Sequence, residues 1–205
     1  NLFVVTHFSG SDSKGLNFLT SPFKVIDMPS NSELRSELIK QRNALSPDYI
    51  REKSLAMTKD ILSDPLYVNT NTLYLYMPTK NEIDTQYLIV KALQDNKIVA
   101  VPIVLTSGDM VFGKIDGNPG FRDNRFHILE PQYDPRIVID KPGLMIVPVI
   151  GFCGKSRLGF GKNYYNNYLR DRNYIHTIGV AYSFQEVKDL EREPEDIELD
   201  EIRAY

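Results

Sequence analysis

The sequence has a single cysteine, Cys153, among its 205 residues. One cysteine excludes an internal disulfide, so nothing in the chain argues for secretion, and a reducing compartment fits well. No apolar run approaches the length of a membrane span. The net charge of -3 comes without a block of Lys or Arg, which excludes the basic face of a non-specific nucleic-acid binder. These absences predict a soluble, intracellular protein with neither a membrane nor a nucleic-acid partner.

Residues 1–29 lack any sustained helical or strand period and mix aromatic residues with Ser, Gly and Asn. They are poor in acidic residues, as transit peptides are, but contain no arginine, which most transit peptides have. The segment is predicted to be a poorly ordered leader, and residues 30–205 a single domain. We expect a cytoplasmic protein; a mitochondrial location follows only if the leader is a transit peptide.

Two helix starts follow the leader. Ser30 and Glu33 have the spacing of a capping box, in which a hydroxyl and a carboxylate satisfy exposed backbone N–H groups. An apolar stripe at helical spacing comes directly after them. Ser46 and Pro47 suit the cap and first turn of a second helix, which is predicted to end near Leu62.

Four short runs are apolar at nearly every position and rich in β-branched or aromatic residues. Such runs are typical of strands in a sheet that is covered on both faces. They span residues 72–77, 97–101, 144–147 and 178–182. Helical patterns lie between the first two runs, at 83–95, and between the last two, at 164–172. The alternation predicts an α/β fold, a three-layer α/β/α arrangement with a mostly parallel central sheet.

The remaining segments carry weaker patterns. Residues 107–142 are rich in Gly, Pro, Asp and Asn, which predicts an irregular insertion ahead of the glycine-containing stretch at 156–165, with one or two short strands, of which 110–112 fits best. The acidic tail after Glu186 predicts a solvated face or a terminal segment.

The most informative stretch contains Gly159 and Gly161 between Arg157 and Lys162. Two glycines two residues apart allow the backbone to approach a ligand and to direct N–H groups at an anion. The two cations add positive charge, and a predicted helix begins just after, so its N-terminus also favours a phosphate. The alternative is a plain turn with surface cations, because short motifs match by chance.

A second stretch, residues 76–85, leaves the end of the first predicted strand and enters a helix. This is the rim at which ligands bind in open α/β sheets. A carboxylate there, at Glu82 or Asp84, can accept hydrogen bonds from a ring N–H and an exocyclic amine, as in a pterin. The alternative for both carboxylates is complementation of the helix dipole.

Other catalytic signatures are absent from the sequence. A Walker A loop is excluded because Val149 stands where its upstream glycine is required. Cys153 lies near two cations, but no partnered histidine supports a nucleophile, so a structural cysteine is favoured. The three histidines are scattered without metal-ligand spacing, and no serine-centred nucleophile elbow is present.

Several ordered segments together resemble the 5-formyltetrahydrofolate cyclo-ligase family, also called 5,10-methenyltetrahydrofolate synthetase. The most characteristic is the stretch from Arg157 to Tyr165, RLGFGKNYY. The resemblance covers residues 30–202. Its other segments are 34–35, 81–85, Pro102, 128–131, 146–148, and Asp196 with Asp200.

The resemblance implies an ATP-dependent ligase that converts 5-formyltetrahydrofolate to 5,10-methenyltetrahydrofolate and releases ADP and phosphate. The formyl oxygen attacks the γ-phosphate, and a folate nitrogen then closes the ring as phosphate leaves. This chemistry depends on positioning and charge neutralisation more than on a strong base. The resemblance also implies Mg2+ as the cofactor bound with ATP, and a monomer.

The resemblance assigns roles residue by residue. Catalysis is assigned to Lys162 and Arg157, and the metal to Asp200 and Asn166. ATP is assigned to Arg35, Arg157, Leu158, Gly159, Phe160, Gly161, Lys162, Asn163, Tyr164 and Tyr165. The folate is assigned to Met77, Glu82, Phe160, Gly161, Lys162, Asn163 and Tyr164, with Glu82 on the pterin.

Four positions depart from the family pattern. Asn31 stands where a lysine is usual, Cys153 where an aspartate is usual, and Asn163 where a glycine is usual. Asn166 replaces an aspartate, and its neutral carbonyl is a weaker magnesium ligand than a carboxylate. Losing one ionic contact is expected to cost about 1.5–3 kcal/mol, or roughly ten- to hundredfold in affinity.

These departures leave three readings of the chain. The first is an active but slower cyclo-ligase, favoured because the glycines, the loop cations and Glu82 are retained. The second is a catalytically impaired folate- or nucleotide-binding homologue. The third is a sugar-phosphate isomerase-like enzyme on a similar sheet, which would need no ATP.

Overall fold

The protein is built around one mostly parallel sheet. The computed structural model describes residues 29–115, 121–123 and 129–205, so residues 1–28 of the predicted leader lie outside the described residues. Within those ranges no helix is both long enough and apolar enough to cross a membrane. The helices are α1 (Asn31–Asn43), α2 (Pro47–Ser63), α3 (Pro65–Asn69), α4 (Gln86–Gln94) and α5 (Tyr164–Leu169). The strands are β1 (Thr72–Tyr74), β2 (Ile98–Val104), β3 (Met110–Ile115), β4 (Phe121–Asp123), β5 (Leu129–Pro131), β6 (Gly143–Pro148), β7 (Gly151–Cys153), β8 (Ser156–Leu158), β9 (Ile175–Ala181) and β10 (Glu201–Ala204).

The central sheet has six strands in the order β10-β9-β6-β1-β2-β3. Neighbouring strands are parallel except β2 and β3, which are antiparallel. Successive side chains of a strand point to opposite faces. Leu73 is therefore buried on the face that α2, α3 and α4 cover, and Tyr74 on the face that α5 covers. The predicted three-layer α/β/α fold is confirmed.

The two predicted helix starts form as their sequences indicate. Ser30 N donates to Glu33 Oε2 at 2.8 Å, and Glu33 N donates to Ser30 Oγ at 3.3 Å, which completes the capping box of α1. Ser46 Oγ accepts from Tyr49 N at 3.2 Å at the start of α2. That helix ends at Ser63, one residue beyond the predicted end.

The four predicted strands are β1, β2, β6 and β9, and Pro102 lies inside β2 rather than after it. Ala100 O accepts from Leu75 N on the β1 side of β2 at 2.9 Å. Two residues further on, Pro102 faces the same side, where β1 has already ended. Because no strand needs an N–H at that place, a proline is tolerated within β2.

The acidic tail, predicted to be a solvated face or a terminal segment, ends in a strand of the central sheet. β10 pairs in parallel with β9 and forms one edge of the central sheet. Leu190 and Leu199, in the connection to β10, are buried. Arg203 of β10 forms ion pairs with Asp60 and Asp64 of the α2–α3 region. The charge of Arg203 is thus neutralised by ion pairs within the fold, although charged residues in a sequence usually indicate a solvated segment.

Candidate active site

The predicted glycine loop lies between a short hairpin and α5. Strands β7 and β8 pair antiparallel after β6, and the loop follows β8. Gly161 has φ +77° and Asn163 has φ +53°. Both values lie in the left-handed region, which glycine adopts freely and asparagine tolerates better than most residues. The loop therefore turns sharply just before the first residue of α5.

Arg35 of α1 holds this loop from the side. Its Nε donates to Gly159 O at 2.7 Å. A Cβ atom on Gly161 would lie 3.5 Å from Arg35 Nη2, so the second glycine also borders the guanidinium. The structure thus brings Arg35 together with both glycines of the loop.

Arg157 lies beneath the same loop. Its Nη1 donates to Pro148 O at 3.2 Å, its Nη2 donates to Asn166 Oδ1 at 3.4 Å, and its guanidinium lies 5.2 Å from the ring centroid of Tyr165. A Cβ atom on Gly159 would come within 2.8 Å of Nη1, so any other residue there would require the guanidinium to shift. Burial lowers the pKa of Arg157, which places a desolvated positive charge under the loop.

A polar cavity of about 290 Å³ opens above Arg157. It extends from the loop to α1 and to the segment that precedes β10, where Asp196 lines it. The cavity is also lined by every residue assigned to ATP, which are Arg35, Arg157, Leu158, Gly159, Phe160, Gly161, Lys162, Asn163, Tyr164 and Tyr165. The structure therefore places all ten around one space, and they bring to it the loop amides and three of its four cationic side chains, the fourth being Arg192.

A second, mainly apolar cavity of about 490 Å³ lies at the carboxyl ends of β1 and β2. Of the residues assigned to the folate, Met77, Glu82, Phe160, Lys162 and Tyr164 line it. Gly161 and Asn163 were also assigned to the folate, but they line the polar cavity alone. The remaining lining residues were not assigned to the folate from the sequence; they are Tyr76, Thr79, Lys80, Pro102, Val104, Met110, Glu130, Pro148 and Tyr165.

Glu82 is a buried carboxylate in the wall of this apolar cavity, with 7% of its surface exposed. Its Oε2 accepts from Thr79 N at 2.8 Å and from Thr79 Oγ1 at 3.2 Å. Its Oε1 lies 3.6 Å from Arg42 Nη1. Burial raises the pKa of Glu82, and the Arg42 charge and the Thr79 donors oppose that increase. The carboxylate is thus fixed through one oxygen, and the other faces a cation.

The two cavities meet at the glycine loop. Pro148, Phe160, Lys162, Tyr164 and Tyr165 line both of them. Lys162 is the cation among these shared residues. A group bound in the apolar cavity and a phosphate bound in the polar cavity can therefore meet beside its ammonium group. This arrangement suits transfer of a phosphoryl group from one ligand to the other.

Comparison with known proteins agrees with this geometry. The model of the 5-formyltetrahydrofolate cyclo-ligase family matches residues 27–204. The chain belongs to this family. Its enzymes are ligases, and the α/β fold described above is the fold of the solved structures that it resembles.

Curated and solved cyclo-ligases resemble the chain over most of its length. The 5-formyltetrahydrofolate cyclo-ligase of Escherichia coli K12 is 28% identical over 78% of this chain and 91% of its own length. The cyclo-ligase of Mycoplasma pneumoniae is 31% identical over 82% of this chain and 94% of its own length. The solved structure of Aquifex aeolicus 5,10-methenyltetrahydrofolate synthetase has a TM-score of 0.70 and 29% identity, covering 84% of this chain and 88% of that one.

The structure separates the two residues that the cyclo-ligase resemblance assigned to the metal. Asn166 lines the polar cavity, and its Nδ2 donates to Asp196 Oδ1 at 2.8 Å. Asp200 does not line this cavity; its Oδ2 accepts from Thr177 N and Thr177 Oγ1, both at 2.8 Å, near the start of β9. The turn before β10 places Asp196 at the polar cavity and leaves Asp200 outside it, at the start of β10.

The other three departures from the cyclo-ligase pattern have different surroundings. Asn31 Nδ2 donates to Glu191 O at 2.7 Å, which ties the start of α1 to the C-terminal segment across the polar cavity. Asn163 occupies the left-handed position described above, where its side chain makes no capping bond to α5. Cys153 lines neither cavity. Its thiol is half-buried, with Sγ 3.4 Å from Lys188 O.

Two important residues of the site were missed by the sequence analysis. Arg42 is buried beside Glu82, and a signal for it existed: it follows Leu38 by four residues, on the face of α1 that turns toward the core. Asp196 was recognised as part of a family segment but was given no role. Glu130 and Pro102, from two other such segments, line the apolar cavity. The sequence contains no local signal that brings these distant segments to one wall.

Proposed function

We propose that the chain catalyses the ATP-dependent cyclisation of 5-formyltetrahydrofolate to 5,10-methenyltetrahydrofolate, with release of ADP and phosphate. The observation that carries this proposal is the meeting of the polar and apolar cavities at Lys162. The formyl oxygen attacks the γ-phosphate, and ADP leaves. The neighbouring folate nitrogen then attacks the activated carbon, the carbon–oxygen bond breaks, and phosphate leaves with the formyl oxygen.

In this proposal the polar cavity holds ATP. The loop amides, Arg35 and Arg157 surround the phosphates, and Lys162 lies nearest the apolar cavity. An ammonium group at that place neutralises charge that develops on the transferred phosphoryl group and lowers the barrier to the transfer. The reaction needs positioning and charge neutralisation more than a strong general base, and the loop amides and cations can supply both.

The apolar cavity holds the folate in this proposal. Glu82 supplies a carboxylate in the cavity wall that can accept from donors of the pterin ring, and Met77 and Tyr164 supply apolar surface for the rings. Thr79 donates to Oε2, which holds the carboxylate in one orientation. Orienting the pterin in this way places the formyl group toward Lys162, where the phosphate enters.

Magnesium belongs to the same proposal, and the residues near Asp196 fit it. Mg2+ is usually held by one or two carboxylates together with substrate phosphates and water, and Asp196 supplies one carboxylate at the wall of the polar cavity. Asn166 already donates one amide hydrogen to Asp196 and accepts from Arg157, which leaves it a weak ligand. The bound ion would supply further neutralisation of phosphate charge. We also propose a monomer in the cytoplasm.

Ultraviolet absorbance provides the direct test of the function. Purified protein mixed with 5-formyltetrahydrofolate, magnesium and ATP is expected to produce the methenyl chromophore, and omission of ATP or of magnesium should abolish its growth. A flat trace from protein that still binds the folate by calorimetry would support the alternative of a binding homologue. Turnover of a phosphosugar without ATP would support the isomerase alternative.

Replacing Asn166 with aspartate is expected to strengthen magnesium binding. In Asn166→Asp the amide that donates to Asp196 becomes a second carboxylate, so two anionic oxygens converge where one exists now. We expect the magnesium concentration for half-maximal rate to fall about tenfold. In the absence of magnesium, repulsion between the two carboxylates should lower the melting temperature, and added magnesium should restore it.

Asn167→Asp is the matched control for this substitution. Asn167 is the next residue of α5; its Oδ1 accepts from Arg170 Nη2, and it lines neither cavity. The control adds the same charge one residue away and should leave the magnesium dependence unchanged. Equal magnesium curves for Asn166→Asp and the wild type would show that Asp196 and the phosphates alone hold the ion.

A further inference from the structure

Arg42 and Glu82 form a buried ion pair behind the apolar cavity. Only 2% of Arg42 and 7% of Glu82 is exposed, and Arg42 Nη1 lies 3.6 Å from Glu82 Oε1. This distance is too long for a hydrogen bond. Among the described residues, Arg42 Nε and Glu82 Oε1 have no hydrogen-bond partner. The pair is thus buried but leaves part of its hydrogen-bonding capacity unused.

Such a pair is a poor device for stability. Burying two charges carries a desolvation penalty that their attraction repays only when the geometry is good and the remaining polar atoms are satisfied. Here neither condition is met. Apolar side chains of similar volume would serve the core at least as well, so the presence of the pair points to a role in the site.

Arg42 acts through Glu82 and does not contact the cavity itself. Glu82 lines the apolar cavity, whereas Arg42 does not. Asn81 Nδ2 donates to Arg42 O at 3.3 Å, which joins the end of α1 to the segment that carries Glu82. The Arg42 guanidinium also lies 5.6 Å from the ring centroid of Phe160 in the glycine loop. The Arg42 side chain therefore lies beside both Glu82 and the glycine loop.

We propose that Arg42 is a positioning residue that keeps Glu82 ionised and holds its carboxylate in the wall of the apolar cavity, where the pterin ring binds. This inference rests on the proposed function, because it takes the ligand of Glu82 to be the pterin. A ring N–H and an exocyclic amine are both donors, so they need an acceptor-only carboxylate. A protonated Glu82 would present a competing O–H and lose at least one of these hydrogen bonds.

The ionisable groups around Glu82 indicate that Arg42 is the one that keeps this carboxylate charged. Burial raises the pKa of Glu82, and Arg42 is the charged group that lowers it. The phenols of Tyr76, Tyr165 and Tyr182 lie nearby, and burial raises the pKa of each, so they remain neutral. The other ionisable groups on this side are Lys80, Glu130 and Lys162, which line the cavity, and Asp84, which faces Tyr182.

The expected pH dependence has a definite sign. Without Arg42 the pKa of Glu82 rises further above its ordinary value, so a larger fraction of the carboxyl is protonated at a given pH. Folate binding is then weakest at the low end of the pH range and recovers as the pH rises through the new pKa. A purely structural role would weaken binding by the same factor at every pH.

Calorimetry of 5-formyltetrahydrofolate binding from about pH 6 to about pH 9 tests the proposal. Arg42→Met, which keeps the volume and removes the charge, is expected to raise Kd about ten- to hundredfold at neutral pH. The ratio of its Kd to the wild-type Kd cancels any titration of the ligand, and it should fall toward one as the pH rises. Arg42→Lys, which retains a cation, should restore much of the affinity.

Arg203→Met is the matched control. Arg203 is also an arginine in ion pairs with carboxylates, but it lies at the β10 edge of the sheet, away from both cavities. Its loss should lower the melting temperature and leave the ratio of Kd values flat across pH. If Arg42→Met fails to fold, Arg42→Gln carries the same test, because it is neutral but still polar.

The outcomes separate this inference from the proposed function. A pH-independent ratio in Arg42→Met, or in Arg42→Gln, would overturn the positioning role while wild-type turnover left the function standing. A wild-type protein that does not bind the folate at any pH would overturn both. A ratio that falls with pH supports the positioning role even if turnover is slow, since binding is measured without ATP.

Discussion

Replacing Lys162 with alanine is expected to lower kcat about 10²–10³-fold. Lys162 is the cation at the junction of the two cavities, where the phosphoryl group would pass from ATP to the folate. Charge that develops during this transfer loses its nearest neutralising group, whereas the folate keeps Glu82 and the apolar wall. We therefore expect the KM for 5-formyltetrahydrofolate to change by less than about threefold. Formation of the methenyl chromophore at saturating substrates measures both constants.

Lys155→Ala is the matched control for Lys162→Ala. Lys155 is exposed, lies in the turn between β7 and β8, and lines neither cavity. The Lys155→Ala substitution removes the same charge from the same region and should leave kcat unchanged. An equal loss of kcat in both variants would mean that Lys162 acts only through the overall positive charge of this region. An unchanged kcat in Lys162→Ala would remove it from the catalytic machinery.

Replacing Glu82 with glutamine is expected to act on the other substrate. The amide keeps the size of the side chain, but its NH2 group opposes the donors of the pterin, and the carboxylate charge is lost. We expect Kd for 5-formyltetrahydrofolate to rise about hundredfold, since hydrogen bonds to charged groups contribute about 1.5–3 kcal/mol each. The affinity for ATP should change little, because Glu82 does not line the polar cavity. Calorimetry with each ligand measures both affinities.

Asp84→Asn makes the same chemical change two residues away. Asp84 Oδ1 accepts from Gln86 N before α4, and Asp84 lines neither cavity. Its substitution should leave folate affinity within about twofold of the wild type. A similar Kd for the wild type and Glu82→Gln would show that the carboxylate faces no ligand donor. Glu82 would then complement the helix dipole, which is the alternative that the sequence left open.

The parts of the fold that the sequence predicted well depend on neighbouring residues. Ser30 and Glu33 form the capping box that their spacing indicates, and Pro47 begins α2. The four buried apolar runs became four parallel strands of one sheet, because strands covered on both faces have a distinctive composition. In each case the residues that decide the structure lie within a few positions of one another.

The structure went beyond the sequence where two distant segments decide the structure together. Arg203 of β10 finds its partners across the fold, in Asp60 and Asp64. The resemblance assigned Asp200 to the metal, but of the two aspartates it is Asp196 that lines the polar cavity. Only the course of the chain before β10 separates them, with Asp196 beside Asn166 and Asp200 beside Thr177.

The sequence by itself therefore determined the α/β class, the glycine loop, its cations and the resemblance that names the family. These features follow from local spacing and from residue types that carry a phosphate-binding or strand-forming tendency of their own. The tertiary structure alone decided that two cavities share Lys162 and that Arg42 stands behind Glu82. It also decided that Asp196 lines the polar cavity. The physical reason is that contacts between α1, the strand ends and the C-terminal segment depend on packing across the whole sheet, which no local pattern encodes.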